Sequence, residues 1–208
     1  MEFLPLLALI AIGLFALKAK DQKQRIALLA SHLGKYRVEA LMKDLTEGYS
    51  RALGEADTQR QTQIWHLLTT AEAELCSQFN RFVSEFAKVD AAQARVSKLS
   101  WPIPFATWIF PGATFDVRTA LSIHAKGLTH AEQNSVGQSE KGKAFTLSAE
   151  MLLMQHTCHW FCRSKATASV RMMARHQTTY EQLVASVSPG SRAAYSALVG
   201  LAAPGSGR

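Results

Sequence analysis

The run Phe3-Leu4-Pro5-Leu6-Leu7-Ala8-Leu9-Ile10-Ala11-Ile12-Gly13-Leu14-Phe15-Ala16-Leu17 carries no charge, and Lys18, Lys20, Lys23 and Arg25 follow it at once, opposed only by Asp21. This pairing constrains the chain more than anything after it. A helix through the run has no polar face to show to water, so it needs an apolar environment on all sides. At about 1.5 Å per residue, Met1 to Leu17 spans roughly 25 Å, near the lower limit for crossing a bilayer. Lys18 and Lys20 lengthen the reach by snorkelling. The expectation is a single transmembrane anchor over residues 1–20, contacting lipid through Phe3, Leu7, Ile10, Leu14 and Leu17.

A secretory signal places its positive charges before the apolar run; here Glu2 precedes it and the cations follow. The positive-inside rule then puts the rest of the chain in the cytoplasm. The three cysteines, Cys76, Cys158 and Cys162, are too few for a disulfide framework and fit a reducing compartment. A net charge of +7 points to anionic partners, of which lipid and nucleic acid are the two classes.

Beyond the anchor the periodicity is mostly helical. The first helix continues to Leu33, and Gly34 stops it. Val38, Leu41, Met42, Leu45, Tyr49, Ala52 and Leu53 mark a second helix from about Tyr36 to Leu53. Asp57 caps a third. Ile64, Leu68, Ala71, Leu75, Phe79, Phe82, Phe86, Val89 and Val96 keep near-heptad spacing, and no Gly or Pro occurs from Thr58 to Leu99. Residues 21–99 therefore read as a long helical hairpin, with self-association through the 58–99 helix as the competing use of that stripe.

Residues 100–115 combine apolar side chains with three prolines, which excludes a second spanning helix. Trp101, Phe105, Trp108 and Phe110 suit either a linker or a loop resting on the membrane surface. Residues 116–202 form a mixed, mostly helical C-terminal domain, and 203–208 a tail. Within it, alternation from Phe115 to Ile123 predicts a strand, residues 126–142 a loop, and Ala144–Leu147 a return strand. Ser148 caps a helix running to about Arg175. Thr178-x-x-Glu181 reads as a capping box for a helix to Val187, and Ser188-Pro189 opens a last helix through Leu201. The fold class is thus mainly α, with an anchor, a helical hairpin and one small β-hairpin.

His156-Thr157-Cys158-His159-Trp160-Phe161-Cys162 is the densest cluster of chemically versatile side chains. On a helix Cys158, His159 and Cys162 share a face and form a weak candidate for a soft metal such as zinc. No second Cys pair exists in the chain, and His176 or Cys76 would have to complete the site, so no metal is favoured and no cofactor is expected. Arg163, Lys165, Arg171 and Arg175 lie in a stretch without acidic residues, from Glu150 to Glu181, and suit lipid headgroups or another anionic partner. Nucleic acid ranks last, because no DNA- or RNA-reading motif is present. The catalytic signatures of hydrolases, metalloproteases and phosphate-loop enzymes are missing.

These readings combine into a non-catalytic protein of the bacterial inner membrane, facing the cytoplasm and recognising a protein partner within a membrane machine such as secretion, conjugation with surface exclusion, or envelope assembly. A metal- or thiol-dependent enzyme centred on Cys158, His159 and Cys162, and a membrane-tethered nucleic-acid binder, are the alternatives.

Overall fold

A computed structural model describes residues 3–100, 103 and 105–201. The chain is mainly helical, with one two-stranded antiparallel sheet among the described residues. Helix α1 runs over Phe3–Leu33, α2 over Val38–Gly54 and α3 over Thr58–Phe86. Asp57 accepts from Gln59 N at 2.8 Å and Arg60 N at 3.1 Å, satisfying two orphan donors at the start of α3. The α2–α3 hairpin closes face to face: Leu45, Tyr49 and Ala52 meet Leu68, Leu75 and Phe79, all buried. Within it, Tyr49 donates to Glu72 at 2.7 Å. Lys143 pairs with the same carboxylate from a later helix, so no charge in this contact is buried alone.

The apolar spacing continues past Phe86, but the helix does not. Asp90 turns the chain: its side chain accepts from Ala92 N at 2.8 Å and its carbonyl from Ala94 N at 3.1 Å. A short polar side chain that bonds its own backbone competes with helix propagation. Val89 and Val96 stay buried, the first in the turn and the second in strand β1 (Arg95–Ser97). The predicted helix from 58 to 99 is therefore corrected to end at Phe86.

The sheet also departs from expectation. Strand β1 pairs with β2 (Thr114–Asp116) in the register Arg95↔Asp116, Val96↔Phe115, Ser97↔Thr114. Between them lie a short helix α4 (Ala106–Ile109) and a 3₁₀ turn at Pro111–Ala113. Residues 117–123 are not strand but the start of α5 (Val117–Gln133), capped by Asp116, which accepts from Arg118 N at 2.8 Å. The buried set Val117, Ala120, Leu121, His124, Ala125, Leu128, Ala131 follows a helical period. Alternation misleads here because Ala120 and His124 face inward although one is small and the other polar. Residues 126–142 and 144–147 are accordingly helix, tight turn and helix. Asn134, in the left-handed region at φ 47°, ends α5, and Ser139 starts α6 (Glu140–Cys162). Ser148 and Glu150, expected at that helix's start, lie in its middle.

The helix expected to reach Arg175 breaks after Cys162. Ser164 caps α7 (Lys165–His176), accepting from Thr167 N at 3.2 Å. The capping box before α8 (Tyr180–Ser186) lies one residue later than Thr178-x-x-Glu181: Thr179 accepts from Gln182 N, and Gln182 from Thr179 N. Ser188-Pro189 does open α9 (Pro189–Val199). One continuous core joins these parts, running from Leu29 through Phe79, Phe82, Phe86, Leu121 and Leu153 to Tyr195.

Candidate functional site

Helix α1 has two halves of opposite character. From Asp21 onward it is docked. Arg25 donates to Asp21 at 3.0 and 3.1 Å and to the carbonyl of Arg95 at 2.9 Å, and its guanidinium lies 5.4 Å from the ring centroid of Phe161. Further down, Leu29 is buried and His32 meets Phe86 edge-on at 5.4 Å. From Pro5 to Leu17, by contrast, every side chain is exposed, including Leu7, Ile10, Leu14 and Leu17. Phe15 is 71% exposed and Leu9 67%. Phe3 lies in the first turn of α1, and the described side chains begin at Pro5.

No helix among the described residues is long and apolar enough to cross a membrane. From Phe3, where α1 begins, to Leu17 the uncharged segment covers roughly 22 Å at about 1.5 Å per residue, against a hydrocarbon core of about 30 Å. The expected transmembrane span therefore has no support of its own in the described residues; they show an exposed apolar helix of sub-bilayer length.

Where this helix leaves the body, a second apolar element stands beside it. Trp108 is 83% exposed, and Ile103, Phe105, Ile109 and Phe110 are exposed around it. Phe105 holds a left-handed backbone, φ 58°, immediately before α4. A bulky residue there costs free energy that the surrounding structure must offset, and such positions concentrate where a loop is shaped for use. Trp101 lies outside the described residues. The loop is not detached: the Lys98 amide donates to Ala113 O at 2.8 Å, and β1–β2 closes its base. That base is clamped by α6, where Trp160 donates to Ser97 O at 2.9 Å and packs edge-on against Phe115 at 5.0 Å.

Between α1 and this loop opens a cleft of about 410 Å³. Leu17, Phe105 and Trp108 form its apolar lip, and Trp160 and Phe161 line it as well. Lys18, Lys20, Arg25 and Arg163 also line it, and Asp21 is the one carboxylate among its described lining residues.

The four late cations do not form one face. Arg163 reaches α1, donating to Gln22 at 2.9 Å. Lys165 turns inward, its ammonium 4.6 Å from the Tyr180 ring and 5.5 Å from Trp160. Arg171 lies 3.4 Å from His159 Nδ1, and Arg175 is exposed. Only Arg163 joins the cleft beside α1.

Cys158, His159 and Cys162 do share a face of α6, and they line a second cleft of about 300 Å³ with Ile26, Leu29, Met42 and Phe79. Burial pushes the Cys158 thiol up to about 12 and the Cys162 thiol up to about 11. Burial also pushes His159 down, with Arg171 and Arg175 adding to the effect. Among the described residues no three His, Cys, Asp or Glu side chains stand together as a metal set. The wall is built for apolar contact, since a thiolate is the form that ligates or attacks.

Two buried polar clusters escaped sequence reasoning. In one, His124 Nε2 lies 2.8 Å from Thr157 Oγ1, which lies 3.2 Å from Tyr195 OH. His156 stacks on Tyr180 at 4.6 Å beside it. Burial pushes both imidazoles down to about 3. In the other, Glu150 accepts from Ser188 N at 3.1 Å and Ser188 Oγ at 2.8 Å, tying α6 to the start of α9. The only signal in the sequence was the helical period, which places His124, His156 and Glu150 on inward faces. Comparison with protein-family models, with curated proteins and with solved structures finds no match to this chain.

Proposed function

We propose that this is a non-catalytic, membrane-attached interaction protein whose helical body is held close against a bilayer on its cytoplasmic side. The observation that carries the reading is the juxtaposition of two exposed apolar elements, Pro5–Leu17 of α1 and Phe105–Phe110 around α4, beside one cleft of the helical body. Water-exposed apolar surface of this extent marks a binding surface. The boundary at Leu17/Lys18, with Lys20, Lys23 and Arg25 behind it, matches the step from hydrocarbon to headgroup. Inserted to that boundary, α1 anchors the chain, as a short span or within one leaflet, and Trp108 rests at the interface. A second attachment prevents the body from swinging on α1 alone.

The body then serves as a platform for a protein partner in an inner-membrane assembly. The apolar cleft between α1, α2 and α6, rimmed by Arg163 and Arg171, supports that part of the reading. Sodium carbonate extraction and vesicle flotation of the full chain test the attachment. The protein is expected to stay with membranes at high pH and to float with neutral vesicles. Release by carbonate together with no flotation overturns the reading. A reporter active only outside the cytoplasm, fused after Leu201, is expected to remain silent.

A further inference from the structure

The cleft beside α1 has features that attachment alone does not require. It extends along α1 from Leu17 to Arg25, about 12 Å of axis at 1.5 Å per residue. The headgroup layer outside each face of the hydrocarbon is roughly 5–8 Å thick. With Leu17 at the hydrocarbon edge, the mouth of the cleft lies among the lipid phosphates. Its lining combines two chemistries. Leu17, Phe105 and Trp108 line it together with Lys18, Lys20, Arg25 and Arg163. Arg25 already holds Asp21 through two short contacts, so the carboxylate does not cancel the other three cations. Arg163 is exposed, directly follows α6 and donates to Gln22, with guanidinium donors beyond the one Gln22 uses.

Resting on the membrane attachment proposed above, we infer that this cleft is a stoichiometric binding site for the headgroup of an anionic phospholipid. The phosphate meets Lys18, Lys20 and Arg163 through charge-assisted hydrogen bonds. The acyl chains leave past Leu17 along the exposed face of α1, and Trp108 covers the glycerol region, where aromatic rings collect in bilayers. Choline-bearing lipids carry a quaternary ammonium that cancels the phosphate charge and is repelled by the same cations, so they bind less tightly.

Full-length protein in a non-ionic detergent is titrated below micelle-forming concentrations with dihexanoyl phosphatidylglycerol, dihexanoyl phosphatidylcholine and glycerol 1-phosphate, read by calorimetry or native mass spectrometry. Saturable one-to-one binding of phosphatidylglycerol is expected, at least tenfold tighter than the choline lipid and than glycerol 1-phosphate. Arg163→Gln and the double variant Lys18→Gln/Lys20→Gln are each expected to weaken it tenfold or more. Both change exposed or half-buried side chains, and unchanged thermal unfolding confirms that the fold persists. Equal binding of both lipids, non-saturating binding, or no effect of either variant overturns the site. Glycerol 1-phosphate binding as tightly as the lipid overturns it in favour of a free phosphate ester. Flotation with neutral vesicles separates the levels: a protein that floats yet shows no lipid selectivity loses only this site, whereas one that does not float loses the membrane attachment as well.

Discussion

The guanidinium of Arg25 lies over the ring of Phe161, 5.4 Å from its centroid, while donating to the carbonyl of Arg95 at 2.9 Å. One side chain thus joins α1 to α6 and to β1, at the level where the exposed half of α1 gives way to the docked half. Replacing Arg25 with Ala removes a half-buried cation–π contact and a hydrogen bond, about 1–2 kcal/mol together. The expected result is faster amide exchange over residues 20–30, with the α2–α3 hairpin unchanged. Protection equal to the parent protein in that segment contradicts the role.

Acid should act through the buried imidazoles. His124 and His156 titrate near 3 when folded and near 6.5 when unfolded. Below about pH 6.5 the unfolded chain takes up protons that the folded chain refuses, so stability falls as the pH drops towards 3. The slope contributed approaches about 1.4 kcal/mol per pH unit for each histidine in that window. Glu150 opposes this weakly, since burial raises its carboxyl and the folded state then accepts a proton first. Urea unfolding at pH 7, 5.5 and 4.5 measures the sum. His156→Asn is expected to lower stability at pH 7 and to flatten the decline; an undiminished slope rules out the imidazole as its source.

Gly127 makes a sharper structural claim. A Cβ there would sit 2.3 Å from Ser191 Oγ and 2.4 Å from Glu150 Oε2. Alanine normally gains in a helix interior, by about 1 kcal/mol over glycine. At this site overpacking against the Glu150–Ser188–Ser191 cluster dominates, and Gly127→Ala is expected to destabilise by about 2–3 kcal/mol in denaturant unfolding. The same substitution at Gly54, where nothing lies within 4 Å, provides the contrast and should be neutral or stabilising.

Local chemistry was the part of this fold that the sequence expressed. Asp57, Ser188 and Gly34 bound their elements because a cap depends on a few neighbouring residues. The stripe on α2 and α3 was equally plain, since Leu45, Tyr49, Leu75 and Phe79 are unambiguously apolar. What failed depended on contacts between distant segments or on residues of double character. Strand β1 exists because Val96 meets Phe115, nineteen positions away, and no local pattern announces that pairing. Helix α5 was misread because Ala120 and His124 are inward by packing, not by type. The cleft was half legible: Lys18, Lys20, Trp108 and Arg163 were each singled out, but their meeting at one place is a product of the tertiary fold. The cysteines were singled out for reactivity; Cys158 and Cys162 are half-buried in a cleft wall, where desolvation pushes their thiols up.

That last point is directly measurable. With thiols pushed to about 12 at Cys158 and about 11 at Cys162, almost no thiolate exists at pH 8. Cys76, which is buried, is pushed up to about 12. Titration of the folded protein with an aromatic disulfide reagent at pH 8 should be slow at all three, by two orders of magnitude or more against the urea-unfolded chain. A fast-reacting thiol in the folded state would restore the case for thiol chemistry on α6.

Trp108 offers the most direct view of how the body meets the bilayer. Its indole is 83% exposed and touches the cleft mouth, whereas Trp160 is 3% exposed in the core. If the loop rests at the interface, phospholipids brominated near the headgroup end of the acyl chain should quench tryptophan emission more than lipids brominated near the terminal methyl. The difference between the parent protein and Trp108→Phe isolates that indole from the other tryptophans. The substitution should leave unfolding within about 0.5 kcal/mol, since an exposed side chain contributes little to folding. Shallow quenching that disappears in Trp108→Phe places the loop in the headgroup region. Equal quenching in both proteins would show that α1 alone holds the membrane and that the body hangs free of it.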